Sequence, residues 1–306
     1  MPSNIRLRYL YESARLGTMN SASESLDVAT SSVSRQIAQL EMELGLPLIE
    51  KGRRRIRLTE AGEAACKYYR EKLSQEEAFL SHIEEMKKVR TGKIVLAVGE
   101  AFITQGFSDM LDDFMQQYPG MEIKVSTSNT IDVSKQIRED LAHLGLIFDI
   151  PREPGITARL VLPQPLRVIV HGQHRLRDSG DVTLRCIQQE SIGLPDNGYR
   201  IRQIVHEAEQ EEGVFLEPSL TTNSLVLLKD FVLSGRGISI LPELVVHDKL
   251  KDGTLVALAS SNQVLNSTQT SLITRVGRQL PVGAYRLMNC IQVYLKSMTG
   301  LAESQD

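Results

Sequence analysis

Side chains suited to polar chemistry gather in two regions of this 306-residue chain. The first holds Thr30, Ser31, Ser32, Ser34, Arg35 and Gln36, followed by a basic run of Lys51, Arg53, Arg54, Arg55 and Arg57. A guanidinium is a planar fork of donors that matches phosphate and the guanine edge, and short hydroxyl or amide side chains reach base edges. That is the chemistry of a polyanion with a readable surface. In the second region, polar residues follow apolar runs. These are Glu100 with Ala101 and Phe102, Ser128 and Asn129, Asp149 after Phe148, Tyr199 and Arg200 after Leu194, and Asn223 with Ser224. Carboxylates and hydroxyls at the ends of apolar segments suit recognition of a small polar ligand.

Catalytic patterns are missing. The chain has no GxSxG elbow, no HExxH and no P-loop. Gly235 and Gly237 form a GxG with no third glycine, and the stretch leads into an apolar strand, so dinucleotide binding is not expected. His171 and His174 have no carboxylate or cysteine at ligand spacing and read as exposed loop histidines. Cys66, Cys186 and Cys290 are odd in number and far apart, which fits neither a disulfide framework nor a zinc site. Cys186 and Cys290 read as buried structural thiols. No cofactor, metal or catalytic residue is expected.

Charge is unevenly distributed. The chain carries 35 basic and 38 acidic residues, yet residues 1–58 hold nine basic against six acidic. The other 248 residues hold 26 basic and 32 acidic, so a basic head sits on an acidic body. Hydrophobic residues at 42% and charged residues at 24% are a folded, globular balance. No apolar run approaches the ~20 residues of a membrane helix. Arg6, Arg8, Glu12 and Arg15 interrupt any secretory h-region, so a cytoplasmic location is expected.

The elements that position the first group read as helices. Ile5, Tyr9, Leu10 and Leu16 predict a helix that Gly17 stops, and Thr18 can cap a short second helix through Leu26. A third helix beginning at Thr30–Ser32, with hydroxyls able to cap it, buries Val33, Ile37, Leu40 and Leu44 and ends at Gly45. Its opposite face then presents Ser31, Ser34 and Arg35, the arrangement of a helix-turn-helix. Short strands at Leu48–Glu50 and Ile56–Leu58 predict a hairpin tipped by arginines, a wing beside the groove. From Thr59 to Val89, Ala61, Ala65, Tyr68, Tyr69, Leu73, Phe79, Leu80, Ile83 and Met86 recur at helical spacing. At 1.5 Å per residue this helix is roughly 46 Å long and needs a partner helix to cover its stripe, which predicts a homodimer.

Residues 5–65 resemble the DNA-binding head of the LysR-type transcriptional regulators. The matching stretches are Thr18-Met19-Asn20-Ser21-Ala22, Val33-Ser34-Arg35-Gln36-Ile37, Leu40-Glu41, Leu44-Gly45-Leu46-Pro47-Leu48 and Leu58-Thr59-Glu60-Ala61-Gly62. The chain departs from the family's pattern at Ala29-Thr30-Ser31, where Ser-Gln-Pro is usual, at Ile49 in place of Phe, and at Lys51 in place of Arg. Thr30 lacks the amide that contacts adenine through two hydrogen bonds.

After Gly92 the periodicity becomes βαβα. Strands are predicted at Lys93–Val98, Met121–Thr127, Leu144–Phe148, Leu166–Val170, Ser191–Leu194, Phe215–Thr221, Gly237–Leu241, Leu255–Leu258 and Thr270–Thr274. Helices are predicted at Ile103–Tyr118, Asp132–Leu141, Arg200–Glu211, Ser224–Ser234 and Val282–Met298. The alternation predicts largely parallel sheets covered by helices. This part is similar to the family's effector-binding domain, itself like periplasmic solute-binding proteins. The cues are Asp149, His174-Arg175-Leu176, Thr222-Asn223-Ser224 and Gly235-Arg236-Gly237-Ile238-Ser239-Ile240-Leu241-Pro242.

The fold class expected is α+β with two domains: a winged helix-turn-helix over 1–58, a linker helix over 59–90, and a two-lobed α/β effector domain over 91–306. Lobe I takes about 92–162 and 268–306, and lobe II about 163–267. In such a domain ligands bind outside the carboxyl ends of the strands. That placement nominates Glu100, Ala101, Phe102, Ser128, Asn129, Phe148, Leu194, Tyr199, Asn223 and Ser224. Glu100 stands where many members of the family carry a small or hydroxyl residue. If Glu100 and Asp149 share a pocket, their repulsion calls for a cation, supplied by Arg200, Arg202 or an effector amine.

The resemblance implies double-stranded DNA, a small-molecule effector and further copies of the chain (a dimer, or a dimer of dimers) as partners, with RNA polymerase as another candidate. A transporter's solute-binding component would need a signal peptide and has no use for a basic head. An enzyme with an appended head would need a catalytic constellation.

Overall fold

The computed structural model describes residues 3–50, 55–86, 91–149 and 154–298. The chain divides into one unit built on residues 1–80 with 277–279 and a second unit formed by the rest.

In the first unit, apolar residues at helical spacing form α1 (Asn4–Leu16), α2 (Met19–Leu26) and α3 (Thr30–Leu44). Gly17 ends α1 at φ +79°, a left-handed conformation that glycine adopts at little cost. The Thr18 hydroxyl accepts from the Ser21 N–H at 3.1 Å and starts α2, as the spacing predicts. Val33, Ile37 and Leu40 of α3 are buried in one core with Leu7, Leu10, Ala22 and Leu48. Leu44 is not buried with them. It is 39% exposed. Nor does a hydroxyl cap α3. Its N-cap is Ala29, and the Thr30 hydroxyl lies 3.0 Å from the Ser23 hydroxyl instead.

Among the described residues the predicted hairpin shows one antiparallel bridge, Ile49 to Leu58, with the Glu50 N–H donating to the Arg57 carbonyl at 2.9 Å. The Ile56 N–H donates to the Gly17 carbonyl at 2.8 Å, which ties the returning segment to the turn after α1. The Glu41 carboxylate accepts from the N–H groups of Leu48 and Ile49 at 2.7 and 3.3 Å, so α3 holds the entry of the hairpin.

The long helix α4 (Glu60–Met86) starts where the Thr59 hydroxyl accepts from the Gly62 N–H at 3.1 Å and donates to the Pro47 carbonyl at 2.6 Å. A Cβ at Gly62 would collide with the Leu48 carbonyl oxygen, so this helix approaches the hairpin only with glycine there. Ala65, Cys66 and Tyr69 of α4 join the core, whereas Tyr68, Leu73, Phe79 and Leu80 remain exposed.

The second unit holds two five-stranded sheets. The first contains β1 (Gly92–Val98), β2 (Met121–Thr127), β3 (Leu144–Phe148) and β4 (Ile156–Pro163), with α5 (Gln105–Gln117) and α6 (Thr130–Arg138) between strands. The chain then enters the second sheet with β5 (Leu166–His171), α7 (Leu184–Ile187), β6 (Ile192–Pro195), α8 (Arg200–Glu212) and β7 (Pro218–Thr222). It continues there through α9 (Leu225–Leu233), β8 (Ile238–Pro242), α10 (Glu243–Lys251), β9 (Leu255–Leu258) and α11 (Gln263–Asn266). The last strand, β10 (Gln269–Arg275), returns to the first sheet before α12 (Val282–Met298).

The sheet orders are β2-β1-β3-β10-β4 and β7-β6-β8-β5-β9. In each sheet four strands run the same way and one is reversed, so the sheets are largely parallel with a single antiparallel strand. β1 pairs in parallel with β2 and β3, and β6 with β7 and β8, but β10 and β5 run antiparallel to both of their neighbours. The reversal follows from the crossings, since β5 and β10 each enter their sheet from the other one. The strand β4, an edge strand in which only Leu162 is buried, is not among those the sequence pattern predicts.

The helix expected over Ile103–Tyr118 begins later, at Gln105. Glu100–Phe102 forms a separate short turn, and the Thr104 hydroxyl caps α5 by accepting from the Phe107 N–H at 3.3 Å. His174 is not an exposed loop histidine. Its Nδ1 accepts from the Leu176 N–H at 3.3 Å, and its Nε2 lies 3.5 Å from Glu190. Cys186 is exposed rather than buried, with a hydrogen bond from the Thr183 hydroxyl that lowers its thiol pKa, while Cys290 is partly covered.

Replacing Glu41 by Ala leaves the buried Leu48 N–H without its acceptor and should cost about 1–3 kcal/mol of stability in urea unfolding. Gly62→Ala should cost about 1–3 kcal/mol through the collision with the hairpin carbonyl. An unfolding midpoint equal to wild type for either variant removes that contact from the account of the head.

Candidate nucleic-acid interface and interlobe site

One side of α3 is committed to the core and the other is open. Ser31, Ser34, Arg35 and Ala38 are exposed at i, i+3, i+4 and i+7, one continuous helix face. Arg35 makes no ion pair among the described residues. Gln36 turns the other way, its amide oxygen accepting from the Arg6 Nε at 3.3 Å, and Arg6 also pairs with Glu43. Thr30 is partly buried and held against Ser23, and Ser32 is half-buried. Because no side chain caps α3, its first amides and the positive end of its dipole remain open to an anion. In the hairpin Arg55 and Arg57 are exposed, while Lys51, Arg53 and Arg54 lie outside the described residues.

In the second unit, the lobe built on the first sheet meets the lobe built on the second through two carboxylates. Glu100, in the turn after β1, places Oε1 2.9 Å from the Leu225 N–H and 3.4 Å from the Ser224 hydroxyl, at the start of α9. Its Oε2 lies 3.1 Å from the Tyr199 hydroxyl, which is also 2.5 Å from the Asn223 carbonyl. Burial, together with the Glu100 charge and hydrogen bond, pushes the Tyr199 phenol up to about 12, so it keeps its proton at neutral pH. Asp149, at the end of β3, has φ +50° and places Oδ2 2.8 Å from the Arg200 Nε at the start of α8. Asp tolerates this left-handed backbone better than most side chains. Arg200 also reaches Glu207 at 2.8 Å.

Both carboxylates reach the second lobe, but Asp149 does not line the cavity beside Glu100, and among the described residues only Asp149 takes a cation. Arg200 neutralises Asp149. Arg202 is engaged elsewhere, 3.1 Å from the buried Glu209. Glu100 relies on neutral donors and a helix N-terminus.

The other nominated residues divide by burial. Ala101 and Phe148, carried by the first lobe, are buried in the core cluster of the second and seal the apolar part of the contact. Phe102 and Leu194 are buried in their own lobes' cores. Asn129 caps α6 by accepting from the Asp132 N–H at 2.9 Å, and the Ser128 hydroxyl accepts from Gln136 at 3.3 Å. Asn223 is exposed.

A cavity of about 310 Å³ adjoins the Glu100 carboxylate, its walls including Ala101, Ile103, Thr127, Leu225 and Lys229. Lys229 forms no ion pair among the described residues. The sequence reading does not nominate it, although a single lysine among the apolar residues of Leu225–Leu233 is the available signal. Among the described residues no three metal-ligating side chains cluster, and no helix is long and apolar enough to cross a membrane.

Comparison with known proteins finds two family matches along the chain. The family described as "Bacterial regulatory helix-turn-helix protein, lysR family" matches residues 5–63, and "LysR substrate binding domain" matches residues 87–295. The HTH-type transcriptional activator CmpR of Synechocystis sp. is 30% identical over 231 residues, covering 74% of this chain and 75% of the relative. A full-length cysteine variant of OxyR from Pseudomonas aeruginosa superposes with a TM-score of 0.64 at 18% identity, covering 99% of this chain and 98% of that one. Full-length CbnR, solved with its target DNA, has a TM-score of 0.55 at 19% identity over 95% of this chain and 99% of that one. At such identities the likeness to solved structures is one of fold. The chain belongs to the LysR family and is a DNA-binding transcriptional regulator with a substrate-binding domain, not an enzyme.

Proposed function

We propose that α3 reads the major groove of its operator with Ser31, Ser34 and Arg35, flanked by Thr30, Ser32 and Gln36. In this reading Arg53, Arg54 and Arg55 of the hairpin grip the neighbouring backbone and groove. The observation that carries it is the open face of α3. Its hydroxyls and an unpaired arginine lie together beside an uncapped helix N-terminus, while Val33, Ile37 and Leu40 are sealed away. CbnR, a relative in fold, has been solved with its target DNA, which favours the same use of the head.

The exposed Tyr68, Leu73, Phe79 and Leu80 on α4 support a homodimer seamed along this helix, because an apolar stripe on a long helix favours a partner. The division into a head over 1–58, a linker over 59–90 and an effector domain over 91–306 follows from this reading, as does work in the cytoplasm with RNA polymerase. Small molecules enter between the lobes, bounded by Glu100, Ala101, Ser128, Asn129, Tyr199, Asn223 and Ser224, with Lys229 added.

Retention on duplex DNA should fall steeply as salt rises, since phosphate contacts release counterions. Arg35→Ala should cost about 1–3 kcal/mol on the operator and narrow the gap to non-specific DNA. Arg54→Ala should weaken binding to all sequences and make the salt slope shallower by about one unit. Equal affinity of both variants and wild type at physiological salt removes these residues from the interface.

Leu80→Asp should split the dimer, because the seam would bury a charge without a partner, and operator affinity should drop by about 100-fold once two half-sites are no longer held together. Light scattering that finds an unchanged oligomer would take α4 out of the interface.

A further inference from the structure

Each carboxylate that the first lobe presents to the second meets the start of a helix, Asp149 at α8 and Glu100 at α9. The two contacts differ in kind. Asp149 is matched by the full charge of Arg200, which it shares with Glu207. Glu100 has no cation within ion-pair distance among the described residues and is held by one amide and two hydroxyls. Donors of that kind receive any carboxylate that fits, whether or not it is joined to this chain. The adjoining 310 Å³ cavity offers apolar wall from Ala101, Ile103, Val226 and Val245, and the unpaired ammonium of Lys229. A small acid could set its carboxylate on the donors and its body in the cavity.

We propose that Glu100 is an internal ligand of the interlobe cleft. Its carboxylate fills a carboxylate-binding position made by the Leu225 N–H, Ser224 and Tyr199, clamps the lobes together, and selects for effectors that are small carboxylates able to displace it. The inference rests on the reading of this cleft as the effector site. Displacement makes or breaks no covalent bond: one carboxylate replaces another on the same donors, and the freed Glu100 turns toward solvent or Lys229. The clamp is specific to a side chain of this length. A serine or alanine at position 100 would leave the donors vacant for the ligand itself.

The test uses the full-length Glu100→Ala protein and acetate, with chloride at matched ionic strength as the control. The variant should melt several degrees below wild type, and acetate should restore that loss saturably while leaving wild type no more stabilised than chloride does. Adding Ser224→Ala to the variant should weaken the rescue. Acetate shifting both proteins equally, or neither, overturns the inference. So does methylammonium stabilising wild type but not Glu100→Gln, because Glu100 would then be a receptor for a cation.

If Glu100→Ala does not fold, hydrogen exchange on Glu100→Gln decides. Loss of the charge-assisted bond should speed exchange of the Leu225 amide by about tenfold or more, and unchanged protection overturns the clamp. Salt-dependent DNA retention by wild type is measured alongside. Its absence would sink the regulatory reading, while a failed rescue with DNA binding intact sinks only the internal ligand.

Discussion

A carboxylate enclosed between two lobes is tolerated only where donors meet it, and that requirement organises the substrate-binding part of this protein. The chain crosses between its two sheets twice, after β4 and before β10, so the ends of β1 and β3 face the starts of α8 and α9. Helix starts carry unsatisfied amides and a positive dipole end, and carboxylates at the facing strand ends complement both. Ala101 and Phe148 close the same contact with apolar surface, burying themselves in the opposite lobe's core. The lobes are therefore joined by directional polar bonds set beside a small greasy patch. A ligand can trade places with bonds of this sort more readily than with an extended apolar interface, because it offers the same donors an equivalent acceptor.

The head solves a different problem with the same chain economy. A short helix has two sides, and α3 gives one to Leu7, Leu10 and Ala22 while keeping Ser31, Ser34 and Arg35 free. Polar residues that might have crowded the open side are occupied inward: Gln36 by Arg6, Thr30 by Ser23, and Glu41 by the amides that open the hairpin. The Glu41 contacts and the Gly62 close approach fix where the hairpin leaves the helices and meets α4. Burial of one face and exposure of the other thus come from a single packing event rather than from separate devices.

Much of this architecture is legible in the residues themselves. The three head helices, the cap at Thr18, the stop at Gly17 and the long fourth helix follow from apolar spacing, hydroxyls and glycine, all local signals. Strands such as Leu144–Phe148 and Leu255–Leu258 stand out as apolar segments, Met121–Thr127 stands out by its alternation, and all three lie where the pattern places them. β4 does not stand out, since Pro154, Pro163 and Pro165 bracket it and read as turn, and neither does α10, whose start is hidden by the apolar run of β8. The one reversed strand in each sheet is not legible in the βα alternation, because it depends on where β5 and β10 insert, which is a property of the crossings and not of either segment.

Composition and spacing alone thus determined a basic helical head, a long apolar-striped helix and an α/β body with polar residues at its strand ends. Tertiary structure decided what those polar residues do. Glu100, Asp149, Arg200 and Arg202 look interchangeable as charges along the chain. Folding gives Arg200 to Asp149, sends Arg202 to Glu209, and leaves Glu100 to an amide and two hydroxyls from segments about a hundred residues away. Arg202 and Glu209 are seven residues apart on α8 and pair along one helix. The partners of Glu100 and Asp149 are instead set by which strand ends face which helix starts, and at those sequence separations no local periodicity carries the information.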